Sequence, residues 1–553
     1  MPGAGEAFDA VVVGSGATGG VAAMVLAEAG LRVAVLEAGP ALTAGQALGR
    51  EPANMVGRLE GVLGGSQRQQ AQHPGYWKAN PRLYVDERAH PYTTPADAPF
   101  LWSRGRQVGG RSLTWGGITL RLSDHDFAAA ERDGEGASWP IRLADLAPYY
   151  SRLERLLGVH GGRDGLPQLP DGDTEAPLPL TPAERHLRQA IGTTLDLPLI
   201  ASRGFRLHRP SPGQPWPRSS SPGVTLARAL ATGRVRLFPH SVVSHLELDG
   251  PGERARAVVV VDGRSGSHWR LEAPLVVLCA STIESLRILL HSSEACRGGG
   301  LVDPSGRLGR GLMDHVSTCR FFTLPVRDAP PPDTELSGAG SCFIPNTLNL
   351  PHSTAADAAP GFHRGYGLWC GIQRFDPPTL LQRRPGQALG FLIGHGEVLA
   401  DAANRVELES GAVDGHGLPV PRITCRWGEN ERAMVAHMQA RMGSVVAAAG
   451  GSIAPLEDLV RVPLLEPLLK GAVALGQGAA PPGYYIHELG GAAMAADEGG
   501  GVLTAWNQLW RARNVLVTDG SSWPSAAWQS PTLTSMALTW RACAAAVDRR
   551  AAF

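Results

Sequence analysis

The first clear hydrophobic pattern spans Phe8 to Gly39, FDAVVVGSGATGGVAAMVLAEAGLRVAVLEAG. An apolar β-branched run at Val11 to Val13 leads into a glycine turn, an alanine-rich stretch follows from about Ala17 to Glu28, and a second apolar run occupies Val33 to Leu36. Short apolar runs flanking a segment of helix length predict a strand, a helix and a strand, a βαβ unit. Further along, Val235 to Ser293 holds RLFPHSVVSHLEL, an apolar pair around VVVVDG, and PLVVLCASTIESLRILLHSS, predicting buried strands, a small-residue turn and a helix that complete the same sheet. Near the C-terminus a strand at Val515 to Thr518, an Asp-Gly turn and a helix starting near Thr532 follow one another.

The turn after the first strand carries Gly14, Gly16 and Gly19 in the spacing GxGxxG. The first permits a tight turn, the second lets a pyrophosphate approach the backbone, and the third lets helix and strand pack closely. Ala17 and Thr18 open the helix, whose free N–H groups and positive dipole end suit that pyrophosphate. Glu37 closes the second strand about 20 residues later, where a carboxylate accepts hydrogen bonds from an adenosine ribose. Strand, glycines, helix, strand and terminal acid agree on a dinucleotide site, and FAD is favoured over NAD because the site opens the chain and further cofactor signatures follow.

Composition narrows the picture. The 553 residues carry 51 basic and 51 acidic side chains, so zero net charge offers no electrostatic footprint for nucleic acid or an anionic membrane. The length predicts several domains. Seven scattered cysteines form no CxxC, CxxCH or cysteine-rich segment, so reduced buried thiols are expected and an iron–sulfur cluster, a c-type haem or another metal site is not. No apolar run of membrane-spanning length occurs, and a cytoplasmic protein is expected.

With these segments in place, the chain resembles the glucose-methanol-choline family of FAD-dependent oxidoreductases along nearly its whole length. Arg106 to Gly117, RQVGGRSLTWGG, is similar to the family's glycine-rich segment beside the flavin ring, and the resemblance assigns cofactor contacts to Arg106, Gly109, Gly110, Ser112, Thr114, Trp115 and Gly116. Some members carry a flavin-linked histidine at the position of Thr114, so non-covalent FAD is implied here. The resemblance also places the backbone of Val242, otherwise an ordinary core valine, against adenine. Ala280 to Thr282 stands for a small-residue turn, Asp519 and Gly520 lie near the ribityl chain, and the helix after Pro531 and Thr532 points its N-terminus at the flavin's pyrimidine edge. Gly309 to His315, GRGLMDH, matches a related sub-group, but Asp314 and His315 read as turn residues and receive no role.

The implied fold is α/β: a discontinuous Rossmann-like FAD-binding domain (1–139, 223–319, 485–553) and a substrate domain (140–222, 320–484) on a mostly antiparallel sheet roofing the flavin. Strands joined by polar turns at Asp401 to Asn404 and Asp414 to Gly417 are expected to belong to that roof. The proline- and serine-rich stretch His208 to Val224 reads as a solvated loop, with a lid or partner-binding loop as the alternative.

Alcohol oxidation needs a base for the hydroxyl proton and a group that orients the oxygen. YIHELGGAAM, from Tyr485 to Met494, is similar to the family segment that supplies an active-site histidine, here His487. The family's Asn or His before the last proline is replaced by Ser530, preceded by Gln529. Three readings stay open: Ser530 orients the substrate, Gln529 or another side chain takes over, or the site has left alcohol oxidation for elimination, isomerisation or C–C or C–N oxidation. The leading expectation is oxidation of a hydroxyl on a small polar molecule such as a sugar, glycoside or natural-product intermediate. Oxygen, a quinone or a redox partner is the electron acceptor. A flavin-stabilised scaffold without activity is the non-enzymatic alternative.

Overall fold

The computed structural model describes residues 6–549 apart from 207–212, 250–251, 296–299, 327, 332–333, 352–360, 376, 378 and 462–477. The strand Ala10–Val13, buried along its whole length, sits at the centre of a five-stranded parallel sheet. On one side it pairs with Val33–Leu36 and then Val235–Phe238, and on the other with Leu275–Leu278 and then Val515–Val517. Four of the five strands run as apolar stretches because helices and loops cover both faces of a parallel sheet. The first strand is therefore where the chain's direction around the sheet reverses, and the crevice beyond the carboxyl end of such a strand is where ligands bind in open α/β sheets.

The helix Ala17–Glu28 is buried from Thr18 to Ala27, packed on the sheet and between the helices Thr225–Ala231 and Thr532–Asp548. The helix and second strand of the opening unit and the helix predicted near Thr532 have the expected bounds, and the first strand begins one residue earlier than expected, at Ala10.

A second sheet of six antiparallel strands runs in the order Ser452–Ile453, Val316–Leu324, Ala388–Gly396, Tyr366–Ile372, Cys342–Ile344, Ile200–Ala201. The helix Glu429–Ala448 covers it, setting Met434 and Met438 against Gly396 and Gly394, where any side chain would collide with the thioethers. Gly367 likewise leaves room for the indole of Trp528, so the sheet seats directly on the C-terminal segment. The polar turn at Asp414 to Gly417 joins the strands Arg405–Val413 and Pro419–Thr424 as an antiparallel ribbon. This ribbon forms its own two-stranded sheet against the helix Thr282–Ala295 instead of joining the six strands, because its inward Leu418 packs with Val242 and Val261 of the three-stranded sheet Ser241–Leu248, Ala255–Asp262, His268–Glu272.

Six cysteines are free and buried, and Cys296 lies outside the described residues. Among the described residues no helix is long and apolar enough to cross a membrane, and no cluster of side chains suits a metal ion.

Candidate active site and cofactor cleft

The glycine turn is built as its spacing demands. Gly14 has φ +98°, and a Cβ there would press on the carbonyl of Cys279; a Cβ at Gly19 would collide with the carbonyl of Gly14. At Gly16, by contrast, a Cβ would meet nothing closer than the Gly109 carbonyl at 4.0 Å. Gly16 also caps the helix Ala17–Glu28 without any side-chain hydrogen bond, which leaves the N–H groups of its first turn facing that open space. Glu37 lies buried beside it, accepting hydrogen bonds from the Ser15 hydroxyl at 2.5 Å and the Gly39 N–H at 3.0 Å. Burial raises its carboxyl above the ordinary range. An uncapped helix end, room at one glycine and a buried acid fit the pyrophosphate and ribose of FAD.

The other expected cofactor residues converge on this cleft from distant parts of the chain. Gly109 and Gly110 both have positive φ, and the Gly109 N–H donates to Ser15 Oγ at 3.0 Å. Ser112 accepts from the Ser221 N–H at 2.9 Å, and Trp115 donates its indole N–H to the Ser219 carbonyl at 3.2 Å. The second half of the proline- and serine-rich stretch is therefore packed onto the glycine-rich segment, with Ser220 and Ser221 buried, where a solvated loop was expected; residues 208–212 lie outside the described residues. Thr114 bonds locally to the Arg111 carbonyl, and a Cβ on Gly116 would have no neighbour within 4 Å. Arg106 pairs with Glu284 at 3.0 Å and contacts His90 Nδ1 at 3.0 Å. Val242 sits next to Ser241, whose N–H donates to the Glu37 carbonyl at 2.8 Å, and packs with Ala38.

At the far end of the sheet, Ala280 precedes Ser281, held at φ +75°. Asp519 accepts from the Ser285 hydroxyl at 2.5 Å, and Gly520 is pressed so closely against Thr282 and the Glu488 carbonyl that a Cβ would not fit. Arg111, which the sequence reading passed over, ties this corner together. It donates to Ser281 Oγ at 2.7 Å and pairs with the buried Glu488 carboxylate at 2.7 Å, an ion pair without hydrogen-bond geometry.

Next to Glu488 stands His487, after Ile486 at φ +61°, a costly conformation for a β-branched residue. His487, partly buried like Tyr485, belongs to an aromatic cluster with the buried His315 and His395. Its ring lies 4.9 Å from His315 and 4.8 Å from Tyr485, and Tyr485 stacks on His395 at 5.1 Å. The main-chain N–H of His487 donates to Asp314 at 2.9 Å, and its Nδ1 lies 2.8 Å from Nδ1 of His315. Nε2 of His315 is 2.7 Å from the Ala527 carbonyl, and Nδ1 of His395 is 2.8 Å from that of Trp528. Burial pushes His315 down to about 4 and His395 down to about 3. Burial, followed by His315, His395 and Arg111, pushes His487 well below the usual histidine range. Burial and the neighbouring Glu488 push Asp314 up to about 7. The site thus holds three neutral imidazoles at neutral pH.

A model of the FAD binding domain matches residues 9–301, and one of GMC oxidoreductase matches residues 400–539. The chain belongs to the glucose-methanol-choline (GMC) family of FAD-dependent oxidoreductases. It is 26% identical to a 2-methyl-1,2-propanediol dehydrogenase of Mycolicibacterium austroafricanum, covering 97% of this chain and 94% of the relative. It is 28% identical to a 6'''-hydroxyparomomycin C oxidase of Streptomyces lividus, covering 99% and 93%. A formate oxidase of Aspergillus oryzae, solved in connection with FAD modification, shares the fold at TM-score 0.64 and 14% identity, over 99% of this chain and all of that one. The protein is an FAD-dependent oxidoreductase acting on CH–OH donors.

In this GMC enzyme the last expected site residues lie on one segment. Gln529 is fully buried and donates its amide to Asp126 at 2.7 Å. Ser530 follows it, and Pro531 caps the helix Thr532–Asp548 with no side-chain hydrogen bond. The segment's carbonyls at 527 and 528 receive His315 and His395, and His315 in turn meets His487, so two histidines given no role from the sequence tie the His487 cluster to the backbone that leads to Ser530.

Proposed function

We propose that this enzyme oxidises a hydroxyl group of a small polar molecule, a sugar, glycoside or natural-product intermediate, with His487 as the base and Ser530 orienting the substrate oxygen. The observation that carries the reading is the partly buried imidazole of His487, held at its backbone by Asp314 and at its ring by His315, with burial lowering its proton affinity. A neutral imidazole accepts a proton, and Asp314 holds the backbone of His487 in place while it does so. The substrate's O–H proton passes to His487 as the carbinol C–H breaks and the carbon becomes a carbonyl. FAD, when bound, supplies the acceptor for the hydride.

The Ser530 hydroxyl donates a hydrogen bond to the developing alkoxide. The engagement of Gln529 by Asp126 favours Ser530 for this part. With Thr114 in the segment beside the ring, FAD is held without a covalent bond, through Gly14, Gly16, Gly19, Glu37 and the glycine-rich segment from Gly109 to Gly116. Relatives named for a diol and for a hydroxylated aminoglycoside support a polar, hydroxyl-bearing substrate.

Anaerobic mixing with polyols and glycosides tests the reading. Bleaching of the flavin spectrum is expected, and His487→Ala should keep its FAD while reducing it at least about a hundredfold more slowly. Unchanged reduction in that variant would remove His487 from the chemistry.

A further inference from the structure

Two consecutive residues, Asp314 and His315, reach the same histidine at two points. Asp314 accepts the main-chain N–H of His487 at 2.9 Å and that of Gly483 at 2.9 Å. His315 meets the ring of His487 at 2.8 Å, Nδ1 to Nδ1. Two nitrogens at that distance must share one proton between them, since two lone pairs would repel. Which nitrogen carries it follows from the other side of His315. The Ala527 carbonyl, 2.7 Å from His315 Nε2, can only accept, so Nε2 bears the proton. A neutral imidazole has one N–H, which leaves Nδ1 of His315 as an acceptor. His487 must then donate from Nδ1, and its lone pair stands on Nε2.

We infer that His315 is a positioning residue which, with Asp314 anchoring the backbone of His487, holds that histidine in the Nδ1–H tautomer and leaves its Nε2 lone pair as the proton acceptor of the reaction. This deepens the reading of His487 as the base and rests on it. The direction of the network runs from the Ala527 carbonyl through His315 to His487, so the strained backbone at Ala527, φ +57°, serves to aim the carbonyl that fixes it. His315 touches no reacting atom. It acts by removing the alternative tautomer, in which Nδ1 would hold the lone pair and Nε2–H would face the substrate.

The holoenzyme labelled with 15N at histidine tests this without any substitution. The His487 resonances are expected to show a protonated Nδ1 and an unprotonated Nε2, and an Nε2–H tautomer would overturn the inference. Glutamine at 315 can copy the network, because its carbonyl accepts from His487 while its amide donates to Ala527, whereas leucine can do neither. His315→Gln is therefore expected to keep the Nδ1–H signature and flavin reduction within about threefold, and His315→Leu to lose the signature and slow reduction about tenfold to a hundredfold at unchanged FAD content. A leucine variant that keeps both signature and rate would also overturn it. If His487→Ala reduces flavin normally while the wild-type Nδ1–H signature stands, the reading of His487 as base has failed and the tautomer assignment has not.

Discussion

Gln529 and Asp126 are joined by a buried hydrogen bond of 2.7 Å across 403 positions of sequence. Asp126 also accepts from the N–H and hydroxyl of Ser123, so the glutamine completes the solvation of a buried carboxyl whose proton affinity burial has raised. Gln529→Leu should cost about 1–3 kcal/mol of stability in urea melts, the price of leaving that group short of a donor, while flavin reduction stays within a few-fold. A hundredfold loss of rate at full stability would instead put Gln529 at the reacting atoms.

Ser530 separates two chemistries. Ser530→Ala should lower the rate of flavin reduction about tenfold with little change in FAD content, as expected for one hydrogen bond to developing charge. Ser530→Asn should preserve or raise simple alcohol oxidation. Collapse of the native activity in the asparagine variant, measured by stopped flow, would point to a serine-dependent reaction of another kind.

The pH profile follows from His487. Only the neutral imidazole accepts the proton, and burial, followed by the neighbouring His315, His395 and Arg111, sets its titration well below 6.5. The neutral form is complete above that value and is lost as the pH falls through the depressed pKa. The rate constant for flavin reduction should therefore be flat with respect to this group from about pH 6.5 upward and decline only on the acid side. An acid limb centred above 6.5 would contradict the assignment.

Gly16 and Gly19 differ in what a side chain would meet. Gly16→Val points into open space and should fold with near wild-type thermal stability but without FAD. Gly19→Val drives its side chain into the Gly14 carbonyl and should lower stability by more than about 2 kcal/mol whether or not FAD is supplied. Flavin absorbance of the purified variants, paired with thermal melts, distinguishes the two. Full FAD occupancy in Gly16→Val would place the pyrophosphate elsewhere.

The parallel sheet and its glycine turn were legible in the sequence, because parallel strands covered on both faces appear as apolar runs and a glycine turn has a fixed spacing. His487 was legible through the residues around it, HELGG. His315 and His395 were not. His315 stands at the start of the strand Val316–Leu324 in a stretch that reads as a turn, and His395 is a lone histidine near the end of the strand Ala388–Gly396. Their meeting depends on the register that sets His395 opposite Ser317 and on two carbonyls some 130 to 210 positions away, relations that no local pattern encodes. Arg111 was overlooked for a similar reason, since its partners Ser281 and Glu488 come from two other segments. The ribbon around Asp414 was recognised as strands, but its place was decided by Leu418 finding Val242.

The two carbonyls at Ala527 and Trp528 have an evolutionary consequence. They fasten the six-stranded sheet to the floor of the site by main-chain atoms, which mutation of the floor's own side chains cannot remove. Residues elsewhere on the sheet are then free to vary and reshape the chamber for a new substrate while the imidazoles keep their aim. A lineage built this way can diversify in specificity without disturbing the histidine proposed as its proton acceptor.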